Sequence, residues 1–453
     1  MRQICIGISI FSLVKMHCCD ESRISRRPRI ASLVDLVDAL VAASHGVVMT
    51  TLTGDLGLAL FDDTNIQDPH PLYEQMHRSG PVHRIGDSCF YAVSSWDAVN
   101  DAVVRCDDFS SNLTATMMYE PGGAVAEFRI GELGGPTQVL ATADEPFHAV
   151  HRKALLPQLA AKRIRAFEPF IAQTAERLWD VSDGEIEWMA GMANKLPMMI
   201  VGRIIGVPDE DIDKLAKWGY AATQVVEGLV TREELEAAGV SVMELSGYIM
   251  EQFQKAAADP KDDLLGDLAT ASADGTLDDA AALTMMITLF SAGGESTASL
   301  IGSAAWVLGT QPEVQRQVRE QPGLLGAFLE ETLRYEPPFR GHYRHVLNDT
   351  ELQGVPLPAG SRLVLLWGAA NRDPAHFDDP TAFRLDRPTG KSHITFGKGA
   401  HFCVGAALAR LEAKIVIEHL LQNSREIAAR DAGRWLPSLL VRRLDRLKLG
   451  IAV

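Results

Sequence analysis

Ten consecutive residues of this chain gather the types needed for a reactive site: Phe396-Gly397-Lys398-Gly399-Ala400-His401-Phe402-Cys403-Val404-Gly405. After them Val404, Leu408, Leu411 and Ile415 recur at helical spacing, with Lys414 and Glu418 four apart on the outer face. Cys403 therefore stands at the mouth of a predicted helix, where free amides favour a negative sulfur and lower its pKa. A thiolate there is a metal ligand, and the glycines around it suit a loop folded closely about something flat or bulky. Zinc needs three or four clustered ligands, and only His393, His401 and Cys403 lie near one another in sequence. A buried free thiol is the other reading these residues allow.

A second concentration of chemistry is Ala292-Gly293-Gly294-Glu295-Ser296-Thr297, inside a long apolar run. Thr276 and Asp279 have the spacing of a capped helix start. From there to Leu308 the pattern predicts about 30 helical residues, roughly 45 Å of rod, long enough to cross a domain. Glycines inside it weaken the helix by about 1 kcal/mol each. They also let another body approach the backbone and let the hydrogen-bond ladder open. A carboxylate and hydroxyls beside such a groove can carry protons. A tight helix crossing on small residues, with Glu295 ion-paired, fits the same text equally well.

The remaining elements must position these segments. The 453 residues are 47% hydrophobic and 23% charged, an ordinary globular composition with room for a large core. Lysine and arginine total 43 against 59 acidic residues, and the net charge of -16 argues against nucleic-acid binding. Three of the six cysteines fall in the first nineteen residues, which fits a reducing, cytoplasmic setting better than a disulfide scaffold. The apolar run Ile4 to Val14 is too short for a stable membrane anchor and lacks a signal cleavage site. Residues 1–45 read as a poorly ordered extension and 46–453 as a single domain. Val82 to Val93 predicts a hairpin and Ser95 to Arg105 a helix. Glycine-rich residues 111–136 predict a long loop that either covers a site or is disordered. Helical text fills 145–258, broken at Gly206-Val207-Pro208, and strands return at Glu351–Leu357, Arg362–Leu366 and Leu439–Val453. The class is mainly α with small β-sheets. Phosphate-loop, zinc-protease and serine-hydrolase signatures do not occur.

The cysteine segment has the form Phe-x-x-Gly-x-His-x-Cys-x-Gly and resembles the heme-thiolate signature of the cytochrome P450 family. Glu331-Thr332-Leu333-Arg334 resembles that family's Glu-x-x-Arg helix element, and Arg387 in Phe-Arg-Leu-Asp-Arg-Pro matches the arginine completing its structural network. Ala292 to Thr297 matches the oxygen-activation part of the long central helix. His148, Arg152, Arg344 and His401 match ligands of the heme propionates, and the order holds from about residue 65 to 450. The resemblance implies one large fold built around the central helix, of the bacterial soluble type. It also implies non-covalent heme b (iron protoporphyrin IX) with Cys403 as the axial metal ligand and Phe396 packed beside it. The implied activity is that of a monooxygenase (EC 1.14): one atom of O2 enters a hydrophobic small molecule. Electrons come from NAD(P)H through ferredoxin reductase and ferredoxin. On a chain of net charge -16 an acidic ferredoxin needs a local positive patch near the cysteine, for which Lys398, Arg410 and Lys414 are the candidates near in sequence, with burial the other reading for Arg410. Phe290, Ala292, Gly293, Phe339 and His342 are the implied substrate contacts, under a roof from residues 111–136 and 226–234. Where the family usually carries an acid followed by threonine, this chain has Glu295-Ser296 and then Thr297. Either hydroxyl is open as the relay, fed with protons by a Glu295 free to swing between solvent and the helix groove. The arginine-proline pair of the peroxide-using branches is missing, which favours reductase-fed chemistry. Another oxidation, or a heme-binding sensor without turnover, are the competing readings.

Overall fold

A computed structural model describes residues 54–452 apart from 121, 131–136, 226–228, 230–231 and 389–392. The predicted extension over 1–45 lies outside the described residues, as do parts of the predicted roof. The helices that frame the site are α1 (Trp96–Val104), α2 (Phe147–Leu155), α3 (Leu196–Ile205), α4 (Ile212–Gln224), α5 (Arg232–Ala258), α6 (Leu264–Ala273), α7 (Asp279–Thr310), α8 (Leu325–Tyr335) and α9 (Ala406–Gln422). The strands are β1 (Val82–Arg84), β2 (Phe90–Val93), β3 (Phe109–Ser110), β4 (Ala115–Tyr119), β5 (Val125–Arg129), β6 (Glu185–Glu187), β7 (Gly341–Val346), β8 (Thr350–Leu352), β9 (Val355–Leu357), β10 (Arg362–Leu366), β11 (Glu426–Asp431) and β12 (Lys448–Ala452). The class is as predicted: mainly helical, with small sheets around one long helix.

That helix, α7, runs unbroken for 32 residues and is wrapped on most sides because its sequence is apolar on most sides. Its first half packs Met285, Met286 and Phe290 against Met198 of α3, Leu215 of α4 and Leu245 of α5. Its second half packs Leu300, Ile301 and Leu308 against α8, α9 and the β6-β12-β11 sheet. Each such fully buried side chain contributes about 1.5–3 kcal/mol. The start is capped differently from the sequence expectation. Asp278, not Thr276, accepts the Ala281 amide at 2.8 Å. Thr276 is tied by its own amide to Asp274, and Asp279 takes the Ser272 hydroxyl.

The glycines of α7 leave its ladder closed. A Cβ on Gly294 would stand 2.4 Å from Met198 Sδ, and one on Gly293 would stand 3.0 Å from Val201 Cγ2. Small residues here let α3 cross tightly, so this face follows the helix-crossing reading.

The main sheet has the order β1-β2-β10-β7-β3, with β10 parallel to β2 and antiparallel to β7. The predicted Val82–Val93 hairpin is present as β1 and β2. Along β7 successive side chains alternate, so His342 and Arg344 share one face and Tyr343 and His345 the other. Residues 111–136 are not all loop: β4 and β5 pair antiparallel from Ala115↔Arg129 to Tyr119↔Val125. Ala115 and Met117 are buried, and Tyr119 stacks on Phe61 at 4.5 Å. The run Ala115-Thr116-Met117-Met118-Tyr119 is buried at its first three positions, and the glycines that follow masked it as a strand.

Candidate active site

The cysteine loop is closed by its own backbone. The Cys403 amide donates to the Phe396 carbonyl at 2.8 Å, and Gly397 and Gly399 take φ of +68° and +67°, conformations side chains resist. Because α9 begins at Ala406, the amides of Gly405 and Ala406 reach the sulfur and favour its negative form. Cys403 is open to the cavity, but the protein packed around its sulfur outweighs them and pushes the thiol above its ordinary range. The sequence expectation of a lowered pKa counted the helix mouth and left out that packing. Phe396 packs against the core, with the Arg410 guanidinium 4.3 Å above its ring.

Cys403, Phe396 and His401 line one cavity with His148, Arg152 and Arg344, and with Ala292, Gly293, Ser296 and Thr297 of α7. The elements bring the basic set together from three directions. His148 and Arg152 are four apart on α2, Arg344 lies on the inward face of β7, and His401 precedes the cysteine. The His148 and His401 rings lie 4.1 Å apart. His148 Nδ1 meets Glu145 Oε1 at 3.0 Å, and His401 Nε2 meets the Ser111 hydroxyl at 3.1 Å. Burial, with His148 and Arg344 nearby, pushes His401 down to about 4. Its Nδ1 is buried without a protein hydrogen bond.

Arg152 and Arg344 are more informative still. Arg152 donates to the Phe402 carbonyl at 2.8 Å and Arg344 to the Tyr343 carbonyl at 2.7 Å, and neither has an ion-pair partner among the described residues. Arg344 is buried, and a buried guanidinium without an anion costs several kcal/mol. The cavity is therefore cationic at its rim and apolar through Val103, Leu140, Leu289 and Leu300.

Of the predicted substrate contacts, Ala292, Gly293, Phe339 and His342 line this cavity. Phe290 does not. It is fully buried in the cluster with Met198 and Leu215, because it sits on the α3–α4 side of α7. His342 is pushed down to about 4 by burial and by Arg344.

The three candidate relay residues divide. Ser296 donates its hydroxyl back to the Ala292 carbonyl at 2.6 Å and, like Thr297, borders the cavity. Glu295 is 2% exposed on the other side of α7. It is pinned rather than swinging: Arg443 holds Oε1 at 3.1 Å, and that guanidinium also reaches Asn194 Oδ1 at 3.2 Å and covers Tyr220. Burial pushes the Glu295 carboxyl up, partly offset by Arg443 and the Thr223 hydroxyl. Sequence reasoning missed Arg443, which arrives from residues near the C-terminus, 148 positions away. Paired arginines at Arg442-Arg443, directly after the apolar Leu439-Leu440-Val441, were the only local signal.

Glu331, Arg334 and Arg387 form one hydrogen-bonded unit. Arg334 reaches Glu331 at 2.7 and 2.8 Å, and Arg387 Nε reaches the same carboxylate at 2.8 and 3.0 Å. Arg387 also donates to the carbonyls of Asp378, Asp379 and Ala382, tying α8 to the segment that leads into the cysteine loop.

Similarity to known proteins agrees with this architecture. Residues 323–428 match the family model described as Cytochrome P450. The chain is 63% identical over 417 residues to "Cytochrome P450 144" of Mycobacterium tuberculosis, covering 92% of this chain and 96% of that protein. It is 34% identical to "Cytochrome P450 107B1" of Saccharopolyspora erythraea, over 87% and 98% of the two chains. Among solved structures, CYP109E1 from Bacillus megaterium in complex with testosterone superposes with a TM-score of 0.76 at 28% identity, over 86% of this chain and 100% of that one. A sulfur and a basic rim on one cavity under a long helix, at this level of identity, place the chain in the cytochrome P450 family.

Proposed function

We propose that this protein is a heme-thiolate monooxygenase that inserts one atom of O2 into a hydrophobic organic molecule, using electrons delivered by a ferredoxin-type partner. The observation that carries this reading is the donor set of the cavity. One sulfur stands on a wall with Arg152 and Arg344 at the rim, and neither arginine has a carboxylate partner among the described residues. Those residues hold no cluster of three or more metal-ligating side chains, so a metal held by Cys403 brings most of its own ligands. A flat macrocycle bearing two carboxylates fits that set: Cys403 would hold its iron, and His148, Arg152, Arg344 and His401 would hold the carboxylates. The buried, unpartnered Nδ1 of His401 suits the same acceptor. Heme held there by Cys403 would supply the O2 chemistry, with donation from sulfur favouring O–O cleavage.

The chain's own residues exclude water, orient the substrate and move protons. Apolar walls at Val103, Leu140 and Leu289 with Phe339 favour a hydrophobic molecule. Testosterone in the Bacillus megaterium relative is a molecule of that kind. Glu295, held by Arg443 and with its carboxyl pushed up by burial, is the proton source in this reading. The hydroxyl of Ser296 or Thr297 passes the proton into the cavity. The test is reconstitution with ferredoxin, its reductase and NAD(P)H under ¹⁸O₂, over a panel of apolar ligands chosen by spectral shift. Product carrying one labelled atom, formed without added peroxide, is the expected result. Turnover only with added peroxide overturns the ferredoxin assignment, and no turnover with either leaves a binding or sensing protein.

The side-chain geometry supports the narrower choice among the candidate docking charges. Arg410 is committed to Glu330 at 2.6 and 2.8 Å, Lys398 reaches Asn100 Oδ1 at 3.0 Å, and Lys414 lies 3.6 Å from Glu418. Lys398 and Lys414, on loosely tied and flexible stems, are the charges free to meet an acidic ferredoxin. Reversing both to glutamate is expected to slow electron transfer several-fold at low salt and to flatten its salt dependence, leaving ligand affinity unchanged. Stopped-flow reduction of both proteins across a salt series measures this. Identical rates at low salt place docking elsewhere.

A further inference from the structure

Beyond its basic rim the cavity follows α2 and its continuation. His148, Arg152, Leu155 and Leu159 recur four, three and four apart, so one stripe carries the cations first and then turns apolar. The chain keeps its turn after Leu155, since the amides of Gln158 and Leu159 both donate to the Leu155 carbonyl, at 3.1 and 3.3 Å. Val201 and Ile205, four apart on α3, and Leu264 at the start of α6 add further apolar walls at this end. Gln158 lines the same cavity and is 5% exposed.

A buried amide among leucines is costly unless its groups are bonded. Half of this one is: Nε2 donates to Asp267 Oδ2 at 2.6 Å. Asp267 stands three residues after Leu264, so the two share a face of α6. A carboxylate only accepts, so it meets the NH2 of the amide and fixes which way the amide is turned. Oε1 has no donor among the described residues. Thr288, which borders the cavity from α7, has also spent its proton, on the Thr284 carbonyl at 2.8 Å. Both side chains therefore offer acceptors and no free donor. A ketone or ether oxygen placed against them meets only lone pairs, and a carboxylate also meets the charge of Asp267 behind the amide. A hydroxyl finds a partner.

We infer that Gln158 is a specificity-determining residue: the substrate is an apolar molecule that carries a hydroxyl group, donated to Gln158 Oε1, with Thr288 as a second acceptor. The inference deepens the proposed oxidation and rests on this cavity being its substrate site.

Cyclododecanol and cyclododecanone are the probes, alike in skeleton and differing in the donor. Each is titrated calorimetrically into the heme-loaded protein without reductant. The alcohol is expected to bind at least about tenfold more tightly than the ketone. Gln158→Leu, similar in size and lacking the acceptor, is expected to bring the two within about twofold by weakening the alcohol, and Thr288→Val to narrow the gap in part. Equal affinities in the unaltered protein overturn the inference, whether or not the variants fold. A preference that Gln158→Leu leaves unchanged overturns it too. So does a Gln158→Leu protein whose heme content or ligand-free heme spectrum shifts, which would make Gln158 a positioning residue for the cofactor. Failure of the oxidation is read separately, in the reductase-fed assay. Alcohol preference with no turnover of any ligand keeps the inference and strikes the monooxygenase reading, whereas turnover with equal affinities strikes the inference alone.

Discussion

Glu331→Ala is expected to abolish accumulation of folded, heme-loaded protein. Glu331 is 4% exposed and accepts from Arg334, from Arg387 and from the Arg384 amide at 2.9 Å. Without the carboxylate two guanidiniums face each other, and Arg334 itself is 2% exposed. Breaking a buried ion pair by removing one partner costs about 3–5 kcal/mol, against a total stability of about 5–15 kcal/mol. The loss falls on the junction between α8 and the segment before the cysteine loop, so heme retention should fail with the fold. Glu331→Gln keeps the shape and one acceptor and is expected to fall between. Soluble yield, heme per chain and the urea midpoint measure the effect. A Glu331→Ala protein with the wild-type midpoint would contradict the structural role given to this network.

The second large effect concerns coupling. Ser296→Ala is expected to leave heme content and ligand affinity intact. Product formed per NAD(P)H should fall by about tenfold or more as electrons divert to hydrogen peroxide. Ser296 borders the cavity, and its hydroxyl is already oriented by the Ala292 carbonyl at 2.6 Å. That bond must break or be shared when the hydroxyl donates into the cavity. Ser296→Thr, which retains the hydroxyl, is expected to keep coupling. Thr297 borders the same cavity, so Thr297→Ala is the necessary comparison. Heavy leakage in Thr297→Ala with normal coupling in Ser296→Ala moves the relay one residue along α7. Normal coupling in both removes a side-chain hydroxyl from the pathway.

The central helix was legible because its apolar run is long and its polar residues cluster. Local text also sufficed for the β1–β2 hairpin, α1 and the cysteine loop, where motif and secondary structure coincide. Contacts between distant segments were not legible. Arg443 reaches Glu295 from 148 residues away, so the acid looked free to swing when it is held. Phe290 looked like a cavity residue because it precedes Ala292 by two positions, which on a helix is nearly the opposite face. The β4–β5 hairpin was hidden by the glycines around it, although Met117 and Tyr119 have partners in the Phe61 region. The Cys403 thiol shows the same limit in electrostatics: helix-mouth amides are readable from spacing, and the desolvation by distant segments packed around the sulfur is not.

Everything proposed for the cavity depends on sulfur ligation by Cys403. The direct test is the spectrum of the reduced, carbon monoxide-treated holoprotein, recorded beside Cys403→Ser at equal heme content. The account predicts the long-wavelength Soret band of thiolate-ligated heme in the unaltered protein, from heme that acid solvent extracts intact, and its loss in the variant. The same band persisting in Cys403→Ser, or failing to appear in the fully loaded protein, would contradict it.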